Sequence, residues 1–156
     1  MTVKRLCRGK DGVMPAEDSE KRKKKAYNFL EKFDVNTKYV GPYPLGQWQK
    51  APMQPGVYEI GLGADAHFKP RYIGKAVVQT LQVRLGQHWR KSTNAQIRSR
   101  VEKHEQLYFR CHPIDLGNET MAVIDVIEGT YIIAFDTDYV WNARNEWGQQ
   151  MAAEDL

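Results

Sequence analysis

The stretch that decides the fold is residues 56–75, GVYEIGLGADAHFKPRYIGK. Its ends, 57–60 and 71–74, are short runs that include β-branched and aromatic residues, and the segment between them holds two glycines and an aspartate. Runs of this kind separated by turn-forming residues predict a β-hairpin. The first strand carries Tyr58 and the second carries Tyr72, and a lysine follows the second strand. Strands favour tyrosine, so packing alone would explain either residue taken singly.

The rest of the chain predicts helices around this hairpin. In chain order, the pattern indicates a helix from Pro15, a proline- and glycine-containing loop over 36–55, the hairpin, helices over 78–90 and 94–104, a strand over 107–114 and a helix over 119–135. Asn94 has the residue type and position of a helix N-cap. This order predicts an α+β domain: a small central three-stranded antiparallel sheet flanked by helices, with an N-terminal helix and loop as an extension.

Length and composition narrow the class of protein. The chain of 156 residues is typical of one domain. It contains no apolar run near 18 residues and no apolar core of a secretory signal, so we expect neither a membrane partner nor export. The two cysteines, Cys7 and Cys111, form no CxxC pair, which argues against a disulfide scaffold or a structural zinc. These features predict an intracellular, cytoplasmic protein.

The net charge of +4 is unevenly distributed. Residues 1–25 carry nine Lys/Arg against four acids, residues 77–110 carry seven against two, and residues 111–156 carry one against nine. Clustered basic charge is the expected footprint for a polyanion, most commonly nucleic acid. The predicted nucleic-acid contacts are Lys23, Lys24, Lys25, Arg90, Lys91, Arg98 and Arg100. The alternative for the lysine run is a solvated helix face.

The helix after the hairpin carries a second group of functional residue types. In TLQVRLGQHWR, residues 80–90, Leu81 and Leu85 form an apolar ridge, and Arg84 and His88 are four residues apart on one face. An arginine can bind a phosphate through two parallel hydrogen bonds. Arg84 and His88 near two phenols and Lys75 therefore predict a phosphate-directed cluster. Gly86 between them would allow another group to approach the helix closely.

The last helix places a carboxylate among apolar residues. In MAVIDVIEGTYIIAF, residues 121–135, Ile124, Ile127 and Tyr131 recur at helical spacing, and Glu128 lies on the same side. A carboxylate on an apolar face must be paired or must bind a cation. The two alternatives for Glu128 are a salt bridge to Arg84 and a metal site. Gly129, the next residue, has no side chain and leaves space on the helix beside Glu128.

Together these residues resemble the GIY-YIG nuclease superfamily over about residues 53–146. The two motifs appear as Gly56-Val57-Tyr58 and Tyr72-Ile73-Gly74, and the further matches are Lys75, Arg84, His88, Glu128 and Asn142. The histidine at position 88 resembles the histidine found at this position in type II restriction enzymes of the Eco29kI-like kind. Two intervals, from Tyr72 to Arg84 and from Glu128 to Asn142, are about two residues longer than is common in the family, which leaves Asn145 as an alternative to Asn142.

The resemblance implies a metal-dependent endonuclease that hydrolyses DNA. Glu128 would hold Mg²⁺, for which Mn²⁺ can substitute, because Mg²⁺ takes few protein carboxylates and completes its shell from phosphate and water. Arg84 would bind a non-bridging oxygen. Tyr58 would be the base, with Lys75 and the metal lowering a phenol pKa that is otherwise about 10. The resemblance implies that Tyr72 positions water or phosphate, while His88 is either a base or a phosphate ligand.

The function and organisation follow from these assignments. A site-specific type II restriction enzyme is the first interpretation, a phage, homing or repair nuclease the second, and a catalytically silent DNA-binding module the third. Residues 1–52 form the N-terminal extension and are candidates for DNA recognition or dimerisation, 53–147 the nuclease domain, and 148–156 a tail. The partner is double-stranded DNA, and cutting a palindrome would most simply require a twofold homodimer.

Overall fold

The computed structural model describes residues 16–36, 39–135 and 137–142. The helices and strands are, in order, α1 Ala16–Asn36, β1 Val40–Pro44, β2 Gly56–Leu62, β3 Lys69–Ala76, α2 Leu81–Lys91, α3 Ala95–Glu102, β4 Tyr108–Pro113 and α4 Thr120–Phe135. Short 3₁₀ helices precede β2, β3 and α4. The α+β class and every predicted helix and strand are confirmed, with ends that differ by a few residues. Cys7, Asn145 and the predicted tail at 148–156 lie outside the described residues.

Within the described residues, the sheet has four antiparallel strands in the order β1-β4-β2-β3, so the prediction of three strands is wrong. The missed strand, β1, has the sequence VGPYP and lies inside the segment predicted as a loop. Its prolines remove backbone donors, which is tolerated at the edge of a sheet. β1 is such an edge and pairs with β4 through an irregular register between Val40 and Tyr43. The prolines of this segment predict a loop from sequence alone, and only the pairing with β4 makes it a strand.

The register of the hairpin brings the two motif tyrosines to one face. Tyr58 lies opposite Gly74, and Ile60 lies opposite Tyr72. Residues two apart on a strand share a face, so Tyr58, Ile60 and their partners point the same way. The ring centroids of Tyr58 and Tyr72 are consequently 6.1 Å apart.

The two faces of the sheet support separate apolar cores. On one face, Tyr58 and Ile60 pack with Leu81 and Leu85 of α2 and Ile97 of α3. On the other, a second core gathers residues of the sheet, α1 and α4: Val57, Ile73, Leu30, Ile124 and Ile127. Strand alternation therefore decides which helices each hairpin residue meets.

The ends of α2 and α3 are capped by side chains. The Thr80 hydroxyl accepts a hydrogen bond from the Val83 amide at 3.2 Å, and Asn94 Oδ1 accepts one from the Ile97 amide at 3.0 Å. The prediction that Asn94 caps α3 is confirmed. These caps satisfy amides that the helices cannot pair internally. Across the described ranges, no helix combines the length and apolarity needed to cross a bilayer.

Gly74 is required by the ring that lies over it. A Cβ at position 74 would be 2.4 Å from both Oη and Cζ of Tyr58, whose side chain is 1% exposed. At Gly129 in α4, a Cβ would meet no described heavy atom within 4 Å. The two glycines thus differ in whether the fold has room for a methyl group.

We expect Gly74→Ala to destabilise the protein by about 1–3 kcal/mol, because the buried phenol must shift to accommodate the methyl group. Gly129→Ala is the matched control and should stabilise by about 1 kcal/mol, since alanine favours a helix over glycine. Urea denaturation of both variants measures the difference. A neutral Gly74→Ala would contradict the packing of Tyr58 against this strand.

Candidate active site

Four of the predicted site residues meet on one face of the hairpin. β2 supplies Tyr58, β3 supplies Tyr72, and successive turns of α2 supply Arg84 and His88. The His88 ring centroid is 5.5 Å from that of Tyr58 and 5.3 Å from that of Tyr72. The tertiary structure therefore brings these four residues together, whereas Lys75, predicted to belong to the same cluster, pairs with carboxylates of α4 instead.

A chain of short hydrogen bonds runs from the sheet into α2. Tyr58 Oη lies 2.7 Å from His88 Nε2, and His88 Nδ1 lies 2.7 Å from Ser92 Oγ. All three side chains are buried, with His88 and Ser92 each 2% exposed. Both ring nitrogens of His88 are thus occupied by protein groups.

Burial sets the charge of this pair. Desolvation raises the pKa of the Tyr58 phenol well above its usual range; the neighbouring Tyr72 acts in the same direction, while the positive charge of Arg84 opposes it. Burial also lowers the pKa of His88 to about 3, and Arg84 adds to that effect. At neutral pH, the phenol is protonated and the imidazole is neutral. The sequence predicts that Lys75 and a bound metal lower the pKa of Tyr58; here burial outweighs the opposing charge of Arg84, and Lys75 points to the other face of the sheet.

Tyr72 connects this cluster to a carboxylate. It is more exposed than Tyr58, and burial raises the pKa of its phenol. The hydrogen bond to Tyr58 and the charge of Arg84 oppose that shift, whereas the negative charge of Glu128 reinforces it. The carboxylate of α4 therefore acts electrostatically on the phenol of the edge strand.

Lys75 lies on the opposite face of β3 from Tyr72, beside α4. Its Nζ is 2.6 Å from Asp125 Oδ1 and 3.7 Å from Glu128 Oε1. The hydrogen bond to Asp125 raises the pKa of Lys75 despite partial burial, and Glu128 acts in the same direction. Lys75 is therefore held as a cation between two carboxylates one helical turn apart.

Glu128 is a buried carboxylate with an incomplete ion pair. It is 7% exposed, and burial raises the pKa of its carboxyl, with Lys75 opposing and Asp125 reinforcing the shift. The ion pair with Lys75, at 3.7 Å, is longer than a direct hydrogen bond. A divalent cation would compensate this buried charge, and Asp125 offers a second oxygen ligand nearby. The predicted alternative partner, Arg84, instead donates to Gln87 Oε1 at 3.1 Å.

The number of carboxylates limits the kind of metal site. Within the ranges that the structure covers, no group of three or more His, Cys, Asp or Glu side chains could hold a metal ion. Mg²⁺ commonly uses one or two carboxylates and completes its octahedral shell with water and substrate phosphate. The pair Asp125 and Glu128 fits that pattern and does not fit a closed structural zinc site.

Asn142 braces the strand that carries Tyr72. Its Oδ1 accepts a hydrogen bond from the Ile73 amide at 2.8 Å, and its Nδ2 donates to the Ile73 carbonyl at 2.9 Å. The Trp141 amide donates to the Arg71 carbonyl at 2.8 Å. Segment 139–142 thereby satisfies backbone groups along the free edge of β3, so Asn142 positions its neighbours on that strand.

The glycine in α2 accommodates an aromatic ring. A Cβ at Gly86 would be 3.0 Å from the Trp48 side chain, so the group predicted to approach this helix closely is Trp48. Gly129, in contrast, borders open space among the described residues. Among the described residues, no neighbouring element therefore packs against α4 at position 129.

The predicted nucleic-acid contacts fall into two groups on opposite sides of the sheet. Lys24 and Lys25 are exposed on α1, which packs against α4, and Lys23 is partly buried. Arg90 and Lys91 are exposed at the end of α2, with the Arg90 guanidinium 5.1 Å from the Trp48 ring centroid. The edge strand with Tyr72 and Lys75 lies between these two faces.

The two arginines of α3 also serve the fold. Arg98 donates to the Ser92 carbonyl at 3.3 Å, and Arg100 pairs with Glu105 at 2.8 Å. The Arg100 guanidinium stacks 4.6 Å from the Trp141 ring centroid. Arg100 is consequently committed to packing, whereas Arg98 is exposed beside the buried Tyr58–His88 pair.

Sequence reasoning missed two polar residues of this region. Ser92 ends α2 four residues after His88, and Asp125 precedes Glu128 by three residues. Both spacings place the side chain on the same helix face as its partner, which is the signal that could have identified them.

The comparisons with known proteins found no relatives. A scan against models of protein families gives no match to the chain, and neither a search of curated proteins nor one of solved structures gives any. The chemistry of the site must therefore be inferred from its own residues and geometry.

We expect Asn142→Ala to destabilise the protein by about 1–3 kcal/mol, because the amide and carbonyl of Ile73 both lose their side-chain partner. Hydrogen exchange at the Ile73 amide should become faster. Asn118→Ala is the control, since Asn118 is exposed, and should change stability by less than about 0.5 kcal/mol. Unchanged exchange at Ile73 would show that Asn142 does not brace the strand.

Proposed function

We propose that this protein is a metal-dependent DNA endonuclease with a GIY-YIG nuclease domain. The observation that carries the proposal is the packing of both motif tyrosines against the Arg84–His88 face of α2. Glu128 adds a buried carboxylate on α4, 3.7 Å from Lys75 of β3. Phosphodiester hydrolysis needs a base, a charge stabiliser and an anchor for a cation, and these residue types supply all three.

Tyr58 and His88 act together as the general base. A buried phenol with a raised pKa is a poor base by itself. The neutral imidazole of His88, 2.7 Å away, can take the phenol proton as Tyr58 takes a proton from the attacking water. The alternatives raised by the sequence, Tyr58 or His88, become two members of one hydrogen-bonded pair.

Glu128, with Asp125 nearby, would hold the divalent cation. When bound, Mg²⁺, or Mn²⁺ in its place, supplies positive charge for the phosphate and the leaving oxygen. When no metal is bound, the ammonium group of Lys75 neutralises the two carboxylates. Arg84 stabilises a non-bridging phosphate oxygen, and Tyr72, at the more exposed side of the cluster, orients the phosphate.

Within this class we propose a site-specific type II restriction enzyme acting on double-stranded DNA inside the cell. The direct bond between Tyr58 and His88 supports this choice, because histidine at this position underlies the resemblance to restriction enzymes. A palindromic target would be cut by a twofold homodimer. Residues 1–52 stay the candidate for recognition or dimerisation.

We expect the purified protein to cleave plasmid DNA in Mg²⁺ and to be inactive in EDTA. Glu128→Gln should lower the cleavage rate at least about 100-fold while leaving the affinity for DNA within about twofold, because it removes a ligand charge and no basic contact. Glu119→Gln, at an exposed position, is the matched control and should cleave normally. Full activity of Glu128→Gln would refute the metal assignment, and absence of Mg²⁺-dependent cleavage by the wild type would refute the proposed function.

The exposed basic residues beside the site should contact phosphates. In a Glu128→Gln background, which prevents cutting, Arg90→Gln combined with Lys91→Gln should reduce the slope of log K against log salt by about 1.8, at roughly 0.9 for each lost contact. Lys24→Gln with Lys25→Gln tests the opposite face in the same titration. An unchanged slope in the first variant would show that the end of α2 does not touch the DNA backbone.

A further inference from the structure

Ser92 is the polar group that closes the hydrogen-bonded chain behind His88. It is the C-cap residue of α2 and is 2% exposed. Its Oγ lies 2.7 Å from His88 Nδ1 and accepts a hydrogen bond from the Asn94 amide at 3.1 Å. One lone pair of this hydroxyl is thus taken by the backbone, and His88 occupies another direction.

Two proton arrangements are compatible with these distances. In the first, Tyr58 donates to Nε2, and Nδ1–H donates to Ser92. In the second, Ser92 donates to Nδ1, and Nε2–H donates to Tyr58, whose own proton must then point elsewhere. A phenol is a stronger hydrogen-bond donor and a weaker acceptor than an aliphatic hydroxyl, since its ordinary pKa is only about 10. With Tyr58 Oη and Ser92 Oγ each 2.7 Å from a ring nitrogen, the imidazole therefore accepts from the phenol at Nε2 and donates to the serine at Nδ1, and the first arrangement is preferred.

We infer that Ser92 is a positioning residue that holds His88 in the tautomer with its proton on Nδ1, so that Nε2 is always ready to accept the proton of Tyr58. This inference rests on the proposed function. Without the tautomer, His88 would donate to Tyr58 and could not take a proton from it. A hydrogen bond to one ring nitrogen commonly decides what the other nitrogen does.

The proton transfers are balanced in the following way. As the water oxygen bonds to phosphorus, its proton moves to Tyr58 Oη while the phenol proton moves to His88 Nε2. The bond from phosphorus to the leaving oxygen breaks, and that oxygen takes a proton from solvent. The imidazolium keeps its Nδ1–H···Oγ bond to Ser92, and after the reaction it returns the Nε2 proton to solvent through Tyr58.

His88 is enclosed by protein groups on one side and borders a cavity on the other. The groups that face it are Tyr58 of β2, Tyr72 of β3 and Arg84 of its own helix. A cavity of about 230 Å³ between α2 and α3 is lined by His88 and Ser92 and, across from them, by Arg98 and Glu102. The Ser92 hydroxyl proton, which His88 does not receive in this arrangement, can point to water in that cavity.

The tautomer can be measured directly in the free protein. In ¹⁵N- and ¹³C-labelled wild type at pH 7, the His88 ring signals should report one neutral tautomer with the proton on Nδ1. Ser92→Ala should shift the population toward Nε2–H, because a buried N–H facing a methyl group loses its acceptor. Ser92→Thr keeps a hydroxyl and should retain the wild-type tautomer. Thr93→Ala, at an exposed neighbouring position, is the control.

The same variants are then compared in single-turnover cleavage across a range of pH. Ser92→Ala should be slower by about tenfold or more, with Ser92→Thr and Thr93→Ala close to wild type. An Nε2–H tautomer in the wild type, or a Ser92→Ala variant with unchanged tautomer and rate, would overturn the inference. Failure of Ser92→Ala to fold leaves the wild-type and Ser92→Thr spectra to decide. Because the spectra need no DNA, a wild type that does not cleave refutes the proposed function without altering the test of the tautomer.

Discussion

The bond between the buried Tyr58 phenol and His88 is the constraint around which this structure is arranged. The phenol is 1% exposed and reaches His88 Nε2 at 2.7 Å, so it joins the sheet to α2 inside an apolar core. Its ring passes so close to the neighbouring strand that position 74 must be a glycine. A buried phenol and a buried imidazole would each be costly alone, and their mutual hydrogen bond offsets the desolvation of both. The same burial keeps Tyr58 protonated and His88 neutral, which is the charge state that the proposed base requires.

The free edge of the sheet is the second constraint, because β3 carries functional residue types on both of its faces. Tyr72 points toward α2, and Lys75 points toward the carboxylates of α4. An edge strand exposes unpaired backbone groups and would be mobile or available to other chains without cover. Segment 139–142 provides that cover through Trp141 and Asn142. Asn142, which resembles a catalytic asparagine by its position in the motif order, thus hydrogen-bonds the backbone between Tyr72 and Lys75.

A buried polar network holds that covering segment in place. Glu59 is 2% exposed, accepts a hydrogen bond from Arg110 Nε at 2.6 Å and accepts another from the Tyr139 hydroxyl at 2.9 Å. A buried ion pair is tolerated when its remaining atoms are also hydrogen-bonded. Arg110 is further packed against the Tyr39 ring, 4.5 Å from its centroid. The network links β2 and β4 to Tyr139. Three residues later, Asn142 hydrogen-bonds β3.

The sequence by itself determined the local features of this protein. Turn residues and β-branched runs predicted the hairpin, helical spacing placed Arg84 with His88 and put Glu128 on an apolar face, and Asn94 was read correctly as a cap. These signals act over a few residues, so a pattern can carry them. The tertiary structure decided what depends on distant partners. β1 became a strand because β4 offers it hydrogen bonds that outweigh its prolines, and burial, which no local pattern reveals, raises the pKa of the Tyr58 phenol. Lys75 went to Asp125 and Glu128, not to the phenols, because residues three apart on a strand point to opposite faces of the sheet.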